Sequence, residues 1–150
     1  MPWSEARHLL FEDAVFYLQE SIERANLLVE THNNLDLVIF DRGLLDVAAH
    51  LPSGIGQFHQ RYGATDEVLS RYDVVIHLVS LAVFDSTKYK EISEARWGKS
   101  YFSSIEYAIR IEKTTLDVWP GHKDRFIVAG RGDVDQKIME VVEIIERVMV

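Results

Sequence analysis

Residues 35–43 read Leu35-Asp36-Leu37-Val38-Ile39-Phe40-Asp41-Arg42-Gly43. Apart from Asp36 the first six are apolar, and so short and continuous an apolar run predicts a strand buried on both faces, as in a parallel sheet. The run stops at a carboxylate, a guanidinium and a glycine. A buried strand ending in a carboxylate sets that group at the sheet edge, where it can hold Mg2+ or act as a base. Arg42 has the forked geometry that grips phosphate, and Gly43 lets the chain turn sharply. The plainer reading is that Asp41 caps a helix opening near Leu44, and spacing alone does not separate the two.

Upstream, Ser4 is a plausible N-cap with Glu5 in the first turn. Apolar residues then recur at helical spacing: Ala6, Leu9, Leu10, Ala14, Val15, Leu18, Ile22, Ala25, Leu28 and Val29. This predicts one amphipathic helix of roughly seven turns, ending in the turn formers Thr31-His32-Asn33-Asn34. Downstream, residues 44–51 predict a short helix stopped by Pro52. Residues 53–63 hold three glycines and predict a loop. Thr65 caps a small helix through Arg71. Residues 72–79 repeat the buried-strand pattern, and residues 80–90 read as irregular. Ser103-Ser104-Ile105-Glu106 matches a capping box before a helix carrying Ile105, Ala108, Ile109, Ile111, Leu116 and Val118. That helix ends at Trp119-Pro120-Gly121. Residues 125–129 predict a third strand, Gly130-Arg131-Gly132 a turn, and Asp133 the cap of a last helix.

Strands alternating with helices predict right-handed crossovers and a parallel sheet covered on both faces. Ligands of such sheets bind beyond the carboxyl ends of the strands, which here means Asp41-Arg42, Ser80-Leu81 and Gly130-Arg131. The whole chain, at 150 residues, is the size of one domain. With no cysteine, disulfides and thiolate chemistry are excluded. A net charge of −8 argues against nucleic acid as a partner. No apolar run is long enough for a membrane span, and residues 1–5 lack a signal-peptide pattern, so the expected location is cytoplasmic. None of the histidines pairs at i,i+4, so a zinc site is not expected. His77 reads as a satisfied core or edge residue.

The segment Val38-Ile39-Phe40-Asp41-Arg42-Gly43-Leu44-Leu45-Asp46 resembles the strand-DRG-helix segment of P-loop kinase-like NTPases. Its nearest likeness is the AAA-type ATPase domain grouped with NadR-like nucleotide kinases. Other pieces follow in order: the strand at Tyr72-Asp73-Val74-Val75-Ile76-His77-Leu78, the segment Glu94-Ala95-Arg96 with Ile105-Glu106-Tyr107-Ala108, Trp119 and His122, and Phe126-Ile127-Val128 with Lys137. The resemblance implies a three-layer α/β fold: a P-loop NTPase-like parallel sheet with helices on both faces, in one domain over residues 1–150 with a lid at about 82–104. It further implies ATP or GTP with Mg2+, and an unnamed small-molecule acceptor. By the same resemblance Asp41 is the metal or base carboxylate, and Arg42 and Arg96 are the catalytic clamps. Lys99, Arg110, Gly130 and Arg131 are the remaining nucleotide contacts. An Arg on a helix face, such as Arg110, is otherwise a solvated charge, and Arg131 an ordinary turn residue.

The pattern departs from the family at one place. A strand followed by GxxxxGK[S/T] should hold the phosphates, and no glycine precedes Gly43. Gly98-Lys99-Ser100 spells only the tail of that motif, since Ser93 stands where its first glycine belongs. Arg131-Gly132-Asp133 reads as a turn and cap. Losing the first strand leaves sheet edge and apolar surface uncovered, so self-association through that edge is expected. Three explanations follow: a fragment of a longer product, a degenerate relative, or a chain completed by a partner's strand. Two functions follow. One is Mg2+-dependent phosphoryl transfer or NTP hydrolysis, with this chain inactive on its own. The other is a non-catalytic binding module on a kinase-like scaffold.

Overall fold

The computed structural model describes residues 5–33, 35–98, 104–119, 121–129 and 133–149. Of these, 70% are helical, and only two short strands form among them. The three-layer α/β sheet is therefore not the fold of this chain. Two compact units divide it, Met1–Val68 and Leu69–Val150.

Among the described residues of the first unit the regular elements are all helices. Helix α1 spans Glu5–Asn33, a 3-10 helix spans Leu44–His50, α2 spans Gly54–Tyr62, and α3 opens at the junction as Thr65–Leu69. The 3-10 helix is the centre: Leu44, Leu45, Val47, Ala48 and Ala49 are all buried. Phe16 of α1 stacks flat on Tyr62 of α2, with ring centroids 4.0 Å apart, and Phe58 meets both edge-on. His8 hydrogen-bonds the His50 carbonyl at 2.7 Å.

Three expectations fail in this unit. Residues 35–40 form no strand. A strand needs a partner for its N–H and C=O groups, and every other element of the unit is a helix. Leu35, Leu37 and Ile39 stand 45, 43 and 69% exposed. Residues 53–63 are not a loop but α2. Its glycines punctuate ends: Gly54 opens the helix, and Gly63, at φ 105°, closes it in a region that favours glycine. Lastly, α1 is rotated against its own pattern. The face turned inward carries Glu12, Phe16 and Glu23, while Leu10, Leu18 and Leu28 are 67, 63 and 72% exposed. The Phe16–Phe58–Tyr62 ring cluster decides this, because aromatic burial and ring geometry outweigh one aliphatic stripe.

The second unit contains the sheet. Strand β1, Val75–Leu78, pairs in parallel with β2, Arg125–Val128, in the register Val75↔Arg125 to Leu78↔Val128. Its helices are α4, Leu81–Phe84; α5, Ser86–Trp97; α6, Ile105–Val118; and α7, Val134–Val148. The caps at Ser104 and Asp133 are present: each side chain accepts from N–H groups of its helix's first turn. Residues 80–90 are helical rather than irregular. Ser80 caps α4 through Ala82 N–H, and Asp85 caps α5 through Lys88 N–H. At the other end of the sheet, His122 Nε2 donates to the Tyr72 carbonyl at 2.7 Å while its Nδ1 accepts from Asp124 N–H.

Candidate functional site

The Asp41–Gly43 turn lies in the first unit. Asp41 is exposed and follows no strand, so it sits at no sheet edge. Nor does it cap the next helix. The 3-10 helix begins after Gly43, whose N–H donates to the Asp46 carboxylate at 3.2 Å. Arg42 holds φ 80°, the left-handed region that residues with a Cβ occupy at a cost. Its carbonyl is pinned by Gln19 Nε2 at 2.9 Å. Its side chain, 67% exposed, approaches Asp46 at 4.0 Å.

The other predicted site residues lie in the second unit or outside the described residues. Arg96 is exposed in the last turn of α5, where a cation complements the helix dipole. Arg110 is exposed on α6, with its guanidinium 5.3 Å from the Tyr107 ring centroid. Lys99, Gly130 and Arg131 fall outside the described residues, as do Tyr101 and Phe102. The lid region holds α4 and α5. A site for Mg2+ and nucleotide needs several oxygen ligands and a cradle for phosphate. One exposed carboxylate and one exposed guanidinium do not supply these. Among the described residues no three His, Asp or Glu side chains converge on a metal position.

A buried polar cluster lies instead at the carboxyl end of β1. Glu112 of α6 reaches across to His77: its Oε1 is 2.8 Å from Nε2, and its Oε2 accepts from Ser80 N–H at 3.0 Å. Both side chains are nearly closed to solvent, at 7 and 10% exposure. Lys137 of α7 donates to the Val79 carbonyl, while Val79 N–H pairs with the Val128 carbonyl at 3.0 Å. Burial pushes the Glu112 carboxyl up, but bonds from His77 and Ser80 N–H, with the charges of His77 and Lys137, hold it below its ordinary range. The backbone groups where β1 ends, which in an open parallel sheet would face a ligand, are thus occupied by side chains of α6 and α7. The cluster clamps helices to a strand.

Sequence reasoning missed Glu112. The signal was available in His77, a polar ring inside an apolar strand, which needs a partner once buried. Glu112 stands four residues after Ala108 and three before Thr115, both buried, so it shares their face of α6.

No protein-family model, no curated protein and no solved structure matches this chain. No described helix is long and apolar enough to cross a membrane.

Proposed function

We propose that the chain is a non-catalytic interaction module that docks a basic amphipathic helix along α7. One observation carries the reading: α7 buries none of its residues, although it repeats apolar side chains at helical spacing. Glu140, Ile144 and Arg147 turn toward β2, where with Phe126 they line a shallow groove of about 240 Å³. The 3.6-residue period puts Ile138, Val142 and Met149 on a different face. They are 56, 45 and 51% exposed. Asp135 and Glu146 are exposed beside that stripe. An apolar stripe with an acidic shoulder suits a helix carrying leucines flanked by lysine or arginine.

Fluorescence anisotropy with a synthetic Leu/Lys amphipathic helix and its Leu/Glu counterpart tests this. The lysine peptide should bind with a Kd on the order of micromolar. Val142→Asp, and added salt, should each weaken it severalfold. Equal binding of both peptides, or indifference to Val142→Asp, would remove the reading.

A second reading keeps a contact with ATP or GTP at the Asp41–Arg42 turn, without catalysis, in which residues beyond this turn would have to supply the remaining oxygen ligands of Mg2+ and the phosphate cradle. The positive φ of Arg42 favours it, since such outliers gather at binding sites. Calorimetry with nucleotide and Mg2+ decides. Micromolar, Mg2+-dependent heat lost in Asp41→Ala supports it, and no heat at millimolar nucleotide ends it.

A further inference from the structure

The sheet of the second unit has two strands and therefore two outer edges. Val75 N–H donates to the Asp124 carbonyl and Val79 N–H to the Val128 carbonyl, both at 3.0 Å. Backbone groups alternate along a strand, so the even-numbered residues of β2 face β1 while Arg125 and Ile127 turn their N–H and C=O groups outward. Among the described residues nothing hydrogen-bonds that outer edge. Residues 35–39 are the reverse case. They carry the pattern of a strand, and among the described residues their backbone makes no hydrogen bond. One copy of the chain thus holds an edge without a strand and a strand-like run without an edge, and leaves both unpaired.

We infer that residues 35–39 of a second copy add to the outer edge of β2 as a third, parallel strand. With Asp36 opposite Phe126 and Val38 opposite Val128, the N–H groups of Asp36 and Val38 meet the carbonyls of Arg125 and Ile127. Their own carbonyls meet the N–H groups of Ile127 and Ala129. Alternation then sorts the side chains onto the two faces. Leu37 lies directly opposite Ile127, and these two, 43 and 58% exposed, cover each other. Asp36 and Val38 turn to the face that carries α7. There the Arg147 guanidinium lies 4.8 Å from the Phe126 ring centroid and, among the described residues, makes no ion pair. Asp36, the one charge in the run, arrives beside it, and Val38 arrives toward Ile144, which lines the same groove. A slip of one residue would put the leucines in the groove and Asp36 beside Ile127. The direction is also set by charge. Lys137 bonds at the carboxyl end of β1 and Arg147 stands over Phe126, so α7 runs against β2. An antiparallel strand would carry Asp36 away from Arg147 toward Glu140, carboxylate against carboxylate. The added strand uses the β2 side of α7, not the stripe of Ile138, Val142 and Met149, so the inference is independent of the docking reading.

Sedimentation of the whole chain tests this. It should self-associate with a Kd on the order of 10–100 micromolar, as suits a contact smaller than a standard interface. Val38→Pro removes the N–H that meets the Ile127 carbonyl and should weaken association about tenfold. Ile39→Pro, whose N–H points away from β2, should weaken it far less. Both positions lie outside every helix and strand of the chain, so circular dichroism should not change. Asp36→Lys and Arg147→Glu should each weaken association about threefold, and the double variant should recover most of the loss. The chain contains no cysteine, so a mixture of Leu37→Cys and Ile127→Cys should oxidise to a mixed 37–127 dimer that neither variant forms alone. A chain still monomeric at about 500 micromolar overturns the proposal. So does an oligomer in which Val38→Pro and Ile39→Pro behave alike. A chain carrying both cysteines that closes the 37–127 disulfide as a monomer takes the strand from its own copy, and the second-copy assignment fails. Val142→Asp on α7 should leave the association intact, so failure here and failure of the docking reading are told apart.

Discussion

The Glu112 carboxylate holds the His77 ring at 2.8 Å with one oxygen and the Ser80 N–H at 3.0 Å with the other. One side chain of α6 thus satisfies two buried donors at the end of β1. Removing it orphans both. Glu112→Ala should lower the unfolding free energy by about 2–3 kcal/mol, the cost of leaving buried polar groups unpaired. Glu112→Gln, which keeps the shape and one acceptor, should lose less. Urea melts of the two variants and the parent measure this.

The same contact sets a pH dependence. Glu112 has its folded pKa below the ordinary 4.5. A depressed carboxylate contributes stability that is complete above its unfolded pKa and is lost as pH falls through the folded one. The stability gap between parent and Glu112→Gln should therefore be flat above pH 5 and shrink on acidification below about pH 4.5. A gap that persists unchanged at pH 3 would show that the carboxylate's charge plays no part.

Glu12 has the opposite sign. It is 4% exposed on α1, burial pushes its carboxyl above 4.5, and the His8 ring 3.8 Å away only partly opposes that. A raised acid favours the folded state below its unfolded pKa, and that advantage disappears as pH rises through the folded value. At pH 7 the ionised group is a burden. Glu12→Gln should raise the melting temperature at pH 7 and change it little at pH 4. His8 keeps its bond to the His50 carbonyl in either case. A lower melting temperature at pH 7 would mean that the His8 pairing outweighs desolvation.

The parts that were legible in sequence are those whose signals are local. Ser104 and Asp133 announce α6 and α7 because a side-chain cap acts within one turn. Strands β1 and β2 were legible as short apolar runs. The run at residues 35–40 carries the same pattern and forms no strand, because pairing depends on a distant partner that composition does not reveal. The glycines of α2 read as a loop until Gly54 and Gly63 are seen at its two ends. The stripe on α1 was found, but not which way it faces; the ring cluster of Phe16, Phe58 and Tyr62 settles that. At the candidate site, Asp41 and Arg42 were singled out for a sheet edge that does not exist there, while the cluster at His77 lay hidden because Glu112 is 35 residues away in sequence.

Tyr62 offers a spectroscopic check on the first unit. Its hydroxyl donates to Asp13 at 2.6 Å, and Arg61 Nε binds the same carboxylate oxygen at 3.1 Å. Burial first, and then the Asp13 carboxylate, push the phenol up from 10.0 to about 12. Absorbance titration should show one of the six tyrosines ionising near pH 12. Asp13→Asn should bring that ionisation part of the way back toward 10, since burial remains. The linked stability is present below pH 10 and is lost as pH rises through about 12. At pH 7 Asp13→Asn should cost about 1 kcal/mol, given how open this network is to solvent.

Arg42 sets a test in which stability and binding separate. At φ 80° its Cβ strains the backbone, by roughly 1–2 kcal/mol for a residue of this kind. Its side chain returns little: the approach to Asp46 is 4.0 Å and the group is 67% exposed. Glycine would relieve the strain but add about 0.5–1 kcal/mol of unfolded-chain entropy. Arg42→Gly should therefore be about 0.5 kcal/mol more stable than the parent. Arg42→Ala keeps the strain and should fall about 1 kcal/mol below Arg42→Gly. The Gln19 bond goes to the backbone carbonyl and survives both changes. Paired urea melts read the difference. If Arg42→Gly is instead the less stable of the two, the left-handed turn is not strained, and the one observation that favours a nucleotide contact at Asp41–Arg42 loses its force.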